Sequence, residues 1–391
     1  MSANGPQSSN RLSPTFLSLT LTNFLSYKRA TVDFGDLTAL VGPNASGKSN
    51  FVAAIRLLRD ISSHGLPVAV ARRGGFPQIR HRSNGRPTNP SLRLEFRLGD
   101  ASGQPSSHYE IAFSSVAGGT YRVKKETAVV YYRDARYEFR SDGSTVVSRD
   151  STSKHGDRTS AIAPGHSAAS GASSFASYLI FQTLSQLQTV EINPQVIREF
   201  QEPSSLGQFE PDGSNVVSIY DSLSSEQRRV VLSHLNAIVP GIVRVEVSSL
   251  AGQQTLIFGQ QTPNGVREFS ARQMSDGTLR AFSMLIALFQ PTVPALVVLE
   301  EPEIAIHLGA LRALVDILRS EARRTQIVIT THSADIADQV DVDSVRVVWS
   351  DGEASHLARV APETRQVVHE RLLTVGELMR SHALDPEAVD S

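Results

Sequence analysis

Apolar and polar residues alternate over 16–22 (FLSLTLT), the two-residue period of a strand with one buried face. The same period returns at 92–98 (LRLEFRL) and in parts of 108–113, 121–132 and 137–140, with Gly, Ser and Asp between. That spacing predicts an antiparallel meander. Three runs are apolar almost throughout: 37–41 (LTALV), 294–299 (PALVVL) and 326–330 (QIVIT). Such runs suit strands buried on both faces of a parallel sheet. Residues 30–34, 243–247, 254–258 and 345–349 read as further strands. Helical spacing appears at 49–59, where Phe51, Val52, Ile55 and Leu58 share a face, and at 226–239, where Val230, Val231, Leu235 and Ile238 do. Segments 175–187, 308–324 and 363–379 also read as helices. Residues 23–28 (NFLSYK) form a turn, and 151–174, rich in Ser, Ala and Gly, reads as a flexible loop. No long heptad repeat occurs, so no coiled-coil arm is expected. The fold class predicted is α/β, with a mixed sheet, helices and an antiparallel β lobe.

Composition narrows the function. The 391 residues are 40% apolar, enough for a sizeable core, and carry a formal net charge of −1. A nucleic-acid contact would therefore need a local basic patch. The chain has no cysteine, which excludes disulfides, cysteine-ligated zinc and a thiol nucleophile and suits a cytoplasmic protein. Residues 1–13 are polar and read as a disordered leader without a signal-peptide core. The apolar stretch 281–299 is broken by Gln290, Pro291 and Pro294, so it reads as a helix and a strand, with no membrane span.

The candidate chemistry centres on Gly42, Pro43, Asn44, Ala45, Ser46, Gly47, Lys48 and Ser49. This is the phosphate-loop pattern of Gly, four residues, then Gly-Lys-Ser, placed between a strand and a helix. Its glycines let backbone N–H groups curl around phosphate at the helix N-terminus. Lys48 would reach the β- and γ-phosphates, and the Ser49 hydroxyl would ligate Mg²⁺. The run ending at Leu299 delivers Glu300 and Glu301 to the end of a buried strand. Beside a phosphate loop, Glu300 would hold Mg²⁺ and Glu301 would act as general base toward water. His332, at the end of another apolar strand, could report a γ-phosphate. Residues 274–281 (MSDGTLRA) read as a capped helix start. Gln78 is a candidate metal- or water-sensing glutamine. Arg72, Arg73, Arg80, Arg82 and Arg86 surround a Gly-Gly turn; a contact to nucleotide or nucleic acid and a solvated charged loop are both open there. Tyr131, Tyr132 and Tyr137 could stack on bases or simply pack.

Taken in order, NFLSYK, GPNASGKSNFVAAIR, FEPDGSN (209–215), MSDGT, LEEPEIAIH and TTHS resemble the RecF/SMC-like branch of ABC-type ATPases over about residues 16–350. Stand-alone RecF-like ATPases, OLD-type nucleases and phage-defence ATPases are relatives. The resemblance implies a P-loop NTPase with an ABC-type ATPase head over 14–391. Residues 14–90 and 270–391 would form the nucleotide-binding core, 91–150 the β lobe and 175–269 a helical and mixed insertion. It implies ATP and Mg²⁺ as ligands and adds Asn23, Lys28 and Asn50 to the ATP-binding set. Ser275, Asp276 and Gly277 would be a signature loop acting in trans, so that a homodimer sandwiches two ATP molecules. DNA and an effector nuclease or other partner protein are the expected partners, with repair, recombination or phage defence as the process. A non-hydrolysing nucleotide switch and an ABC transporter subunit are the alternatives. Ala45 and Glu300 depart from the family, which usually has Gly and Asp there; Leu25 replaces a basic residue and Leu308 a Pro.

Overall fold

β1 (Pro14–Phe24) and β2 (Tyr27–Asp33) form an antiparallel hairpin whose turn holds Asn23 and Leu25 at φ 53° and 49°. The computed structural model describes residues 13–82, 88–99, 103, 105–171, 173–205 and 207–388. Residues 1–12 of the expected leader, and Arg86, lie outside them. β3 (Leu37–Val41) feeds the phosphate loop and α1 (Lys48–His64) leaves it. Two short helices follow, α2 (Leu66–Ala71) and α3 (Phe76–Ile79). The meander is β4 (Ser91–Leu98), β5 (Ser107–Ser115), β6 (Tyr121–Tyr132), β7 (Ala135–Ser141), β8 (Thr145–Asp150) and β9 (Arg158–Ala161). α4 (Phe175–Leu184), β10 (Leu187–Val190), α5 (Pro194–Arg198), α6 (Val216–Ser222) and α7 (Ser225–Ile238) come next. β11 (Ile242–Leu250), β12 (Gln253–Thr262) and β13 (Gly265–Ser270) make a separate three-stranded antiparallel sheet. The chain closes with α8 (Asp276–Phe289), β14 (Leu296–Glu300), α9 (Leu311–Glu321), β15 (Gln326–Thr331), α10 (Ala334–Ala337), β16 (Val345–Ser350), β17 (Ser355–Arg359), α11 (Pro362–His369) and α12 (Val375–Arg380).

Contacts divide the chain into two compact units, one of residues 1–33 and 54–187, the other of 34–53 and 188–391. In the first, strands run antiparallel in the order β2-β1-β4-β5-β6-β7-β8-β9. The expected 91–150 lobe is therefore larger at both ends: β1 pairs with β4, and β9 with β8. Leu92, Leu94 and Phe96 are buried while Arg93, Glu95 and Arg97 alternate with them on the other face, as a one-sided sheet requires.

The stretch 151–174 differs from a plain loop. It contains β9 and a 3₁₀ turn at Ala168–Ser170, fastened by Glu126 of β6. Glu126 is fully buried and accepts from Ser167 Oγ at 2.5 Å, Ala168 N at 2.7 Å, Tyr109 Oη at 2.8 Å and Ala169 N at 3.1 Å. Burial pushes its carboxyl above the usual range, against those four hydrogen bonds. Glu126→Ala removes the acceptor of four buried donors, of which Ala169 N keeps a second partner in Ser167 Oγ at 3.0 Å. A loss of about 3–5 kcal/mol is expected, read as a lower urea midpoint, with Glu126→Gln milder.

In the second unit the sheet order is β10-β14-β15-β3-β16-β17, with β14, β15, β3 and β16 parallel. Its core includes Ala39, Val41, Val297, Leu299, Ile327 and Ile329, packed with α8, α7 and α9. Register decides where chemistry can collect. Glu300 pairs with Thr330, and Thr331 pairs with Val41. The carboxyl ends of three parallel strands therefore stop level with one another, where ligands bind in open α/β sheets. The segment read as one helix at 363–379 is two, α11 and α12.

Candidate nucleotide site

The loop after β3 is set by close backbone approaches. A Cβ on Gly42 would fall 2.0 Å from the Val348 carbonyl oxygen of β16, so only glycine fits there. Ala45 has φ 62° and Gly47 φ 115°; Ala45 thus holds a left-handed conformation that glycine adopts more readily. Pro43, Asn44, Ala45 and Ser49 are exposed, Asn50 is half-buried, and Ser46 and Lys48 are buried. Lys48 Nζ donates to the carbonyl oxygens of Gly42 at 2.7 Å and Pro43 at 2.8 Å. Burial lowers its pKa, while Glu301 and Glu303 pull the other way.

The acidic strand end faces that lysine electrostatically. Glu301 has φ 45°, and its amide donates to Thr330 O at 3.0 Å and Thr330 Oγ1 at 3.2 Å. Its carboxylate meets His332 Nδ1 at 3.2 Å. Of the three side chains expected from sequence to be catalytic, Glu300, Glu301 and His332, the last two are thus in contact. A non-glycine residue held at positive φ costs about 1–3 kcal/mol and is typical of working sites. Glu300 is half-buried at the end of β14. Sequence reasoning passed over Glu303, whose carboxylate accepts from Thr331 Oγ1; the Glu-Glu-Pro-Glu run was its one available signal. A cleft of about 610 Å³ borders Gly42, Pro43 and His332 and is walled by Val347, Trp349, Met379 and Leu384.

Ser275 caps α8, accepting from Thr278 N at 3.2 Å. Ser275 and Asp276 are exposed. Asp276 is paired with Arg198 at 2.5 Å, and Arg198 also donates to Met274 O at 2.9 Å. A Cβ on Gly277 would meet the Ala305 carbonyl oxygen at 2.0 Å. The start of α8 therefore lies directly against the turn that follows Glu301.

Asn23, Lys28 and Gln78 belong to the other unit. There the turn around Asn23 is tied to the end of α3: His81 N donates to Asn23 O at 2.8 Å and Leu25 N to Ile79 O at 3.0 Å. Of the nearby arginines, Arg73 is largely buried against Asp60 at 3.0 Å and Arg80 lies over the Phe76 ring.

Residues 37–338 match the family described as "AAA domain, putative AbiEii toxin, Type IV TA system" (AAA_21). The chain belongs to the AAA_21 family. Solved structures with the same fold include the Smc head bound to the C-terminal winged-helix domain of ScpA (TM-score 0.58, 14% identity, covering 90% of this chain and 99% of that one). They also include a Smc head with an extended coiled coil bound to the C-terminal domain of ScpA derived from Pyrococcus furiosus (0.54, 12%, 92% and 99%). A third is a Smc head with a coiled coil and joint derived from Pyrococcus yayanosii (0.51, 10%, 92% and 99%). No curated protein sequence matches. The AAA_21 chain thus has the P-loop fold of an SMC/RecF-like ABC-type ATPase. No helix among its described residues is long and apolar enough to cross a membrane.

The residues of this AAA_21 site suit a nucleoside triphosphate. Ser46 Oγ is buried without a hydrogen-bond partner, a cost that a phosphate oxygen accepting from it would relieve. The exposed Ser49 hydroxyl and the Glu300 carboxylate have the hard oxygen chemistry that Mg²⁺ takes alongside phosphate.

Proposed function

We propose that this AAA_21 protein binds and hydrolyses ATP, and that ATP closes a homodimer. The observation that carries the reading is the contact between Glu301 and His332, beside a lysine buried in its phosphate loop. Lys48, already partly desolvated, exchanges its two carbonyl partners for phosphate oxygens. The amides at the start of α1 add positive potential. Ser49 and Glu300 hold Mg²⁺, which supplies charge neutralisation along the phosphates. Glu301 takes the proton of the attacking water. His332, oriented by Glu301, donates toward the γ-phosphate. Asn50, at the start of α1, is assigned a supporting contact to the nucleotide.

The dimer reading draws on the exposed signature residues Ser275 and Asp276 and on apolar Ile304 and Leu308, which are 38% and 70% exposed in the turn after Glu301. Such residues favour burial against a partner. ScpA seated on related heads supports a partner protein for this one. DNA, the effector and a cytoplasmic location extend the RecF/SMC likeness. The test is the ATPase rate with and without single- and double-stranded DNA, run beside light scattering. Turnover that rises with DNA and an ATP-dependent doubling of mass are expected. ATP binding and dimerisation with no turnover would put the nucleotide switch ahead.

A further inference from the structure

Two ties join the turn after β14 to the end of β15. One is the Glu301 amide on Thr330, described above. The other runs through side chains: Thr331 Oγ1 donates to Glu303 Oε1, and the same hydroxyl accepts from Ser333 N at 2.9 Å. His332 therefore sits between two residues anchored on one hydroxyl, and that hydroxyl is anchored on Glu303. The Glu303 backbone is fixed in turn, since Ile306 N donates to its carbonyl at 3.0 Å. We propose that Glu303 is a positioning residue that, through Thr331, holds the Glu301 turn and the His332 strand end in register and so sets the Glu301–His332 pair for hydrolysis. This rests on the ATPase reading above.

Stability alone gives no reason for a carboxyl at this position. Glu303 Oε2 is buried and has no partner, and an unsatisfied buried polar atom is destabilising. Burial is the largest influence on the Glu303 carboxyl and raises its pKa; the Thr331 hydroxyl and His332 lower it, and Glu301 raises it further. The consequence for folding has a definite sign. A carboxyl whose pKa is higher folded than unfolded binds more protons in the native state, so stability falls as pH climbs from the unfolded value through the folded one. Glu303→Met has no charge to bury and escapes that loss.

The experiment uses the full chain with Glu303→Met, Thr331→Val, their double variant and Thr331→Ser, reading kcat, KM for ATP and Tm. Glu303→Met, which removes the acceptor for Thr331 and leaves no charge to bury, is expected to hold Tm near the wild-type value at neutral pH while kcat falls about 10- to 100-fold, the scale of a misplaced catalytic group. KM should stay within about twofold, because ground-state binding is untouched. Thr331→Val should lower kcat similarly, and the double variant should lose no more than the worse single, as residues acting through one link do. Thr331→Ser keeps the hydroxyl and should restore turnover. Wild-type kcat in Glu303→Met, or additive losses in the double variant, would overturn the proposal while leaving the ATPase reading in place. A wild-type chain with no Glu301-dependent turnover would instead remove that reading, and the positioning role with it.

Discussion

Glu301→Gln is expected to bind ATP as the wild type does and to turn it over about 10²- to 10⁴-fold more slowly, the usual contribution of a general base. The amide has the size of the carboxylate, and the backbone that places it is held by two hydrogen bonds from its own N–H to Thr330. Neither depends on the side chain, so φ 45° and the turn should survive. What disappears is the acceptor for the water's proton and the charge that faces His332 at 3.2 Å. The check is single-turnover hydrolysis beside equilibrium ATP affinity. ATP-bound dimers should accumulate, because closure no longer leads to cleavage. Unchanged turnover would take Glu301 out of the role and leave the Glu301–His332 contact structural.

The parts of this site that could be read from sequence are those encoded by short spacing. The phosphate loop needs eight consecutive residues, and its flanks announce themselves by periodicity: LTALV as a fully buried strand, Phe51, Val52 and Ile55 as one helix face. Glu300 and Glu301 were legible because a buried strand ends on them, and His332 for the same reason. What escaped depends on partners far away in the chain. Glu303 looks like one more acid until Thr331 is brought beside it, 28 residues on. Gly277 looks like part of a capped helix start until Ala305 closes on it. Ser167 to Ala169 look like flexible small residues, since nothing local points to Glu126, about forty positions earlier. The same limit hid the size of the β lobe. β1 alternates like any half-buried strand, and only its register with β4 shows that it extends the meander. Ala45 was visible as a departure from the family, but its strain was not, because φ 62° is a property of the folded loop.

The account's central claim, a site completed by a second copy of the chain, makes a demand on Ser275. Exposed at the start of α8, it should contribute its hydroxyl to ATP held by the partner's phosphate loop, with the helix N-terminus adding positive potential. Two chains related by a two-fold axis would then bury two equivalent nucleotides. Ser275→Arg should fold and bind ATP as a monomer but fail to close, since a bulky cation replaces the hydroxyl. Lys48→Ala should fail earlier, at ATP binding. Neither should hydrolyse ATP alone. A heterodimer of the two contains one site with both Lys48 and Ser275 intact and one site with neither. The most direct measurement is therefore the ATPase rate of the two inactive variants mixed in equal amounts. Partial recovery of turnover, rising with total protein concentration, is the result this account predicts; no recovery, or a Ser275→Arg monomer that hydrolyses ATP at the wild-type rate, would contradict it.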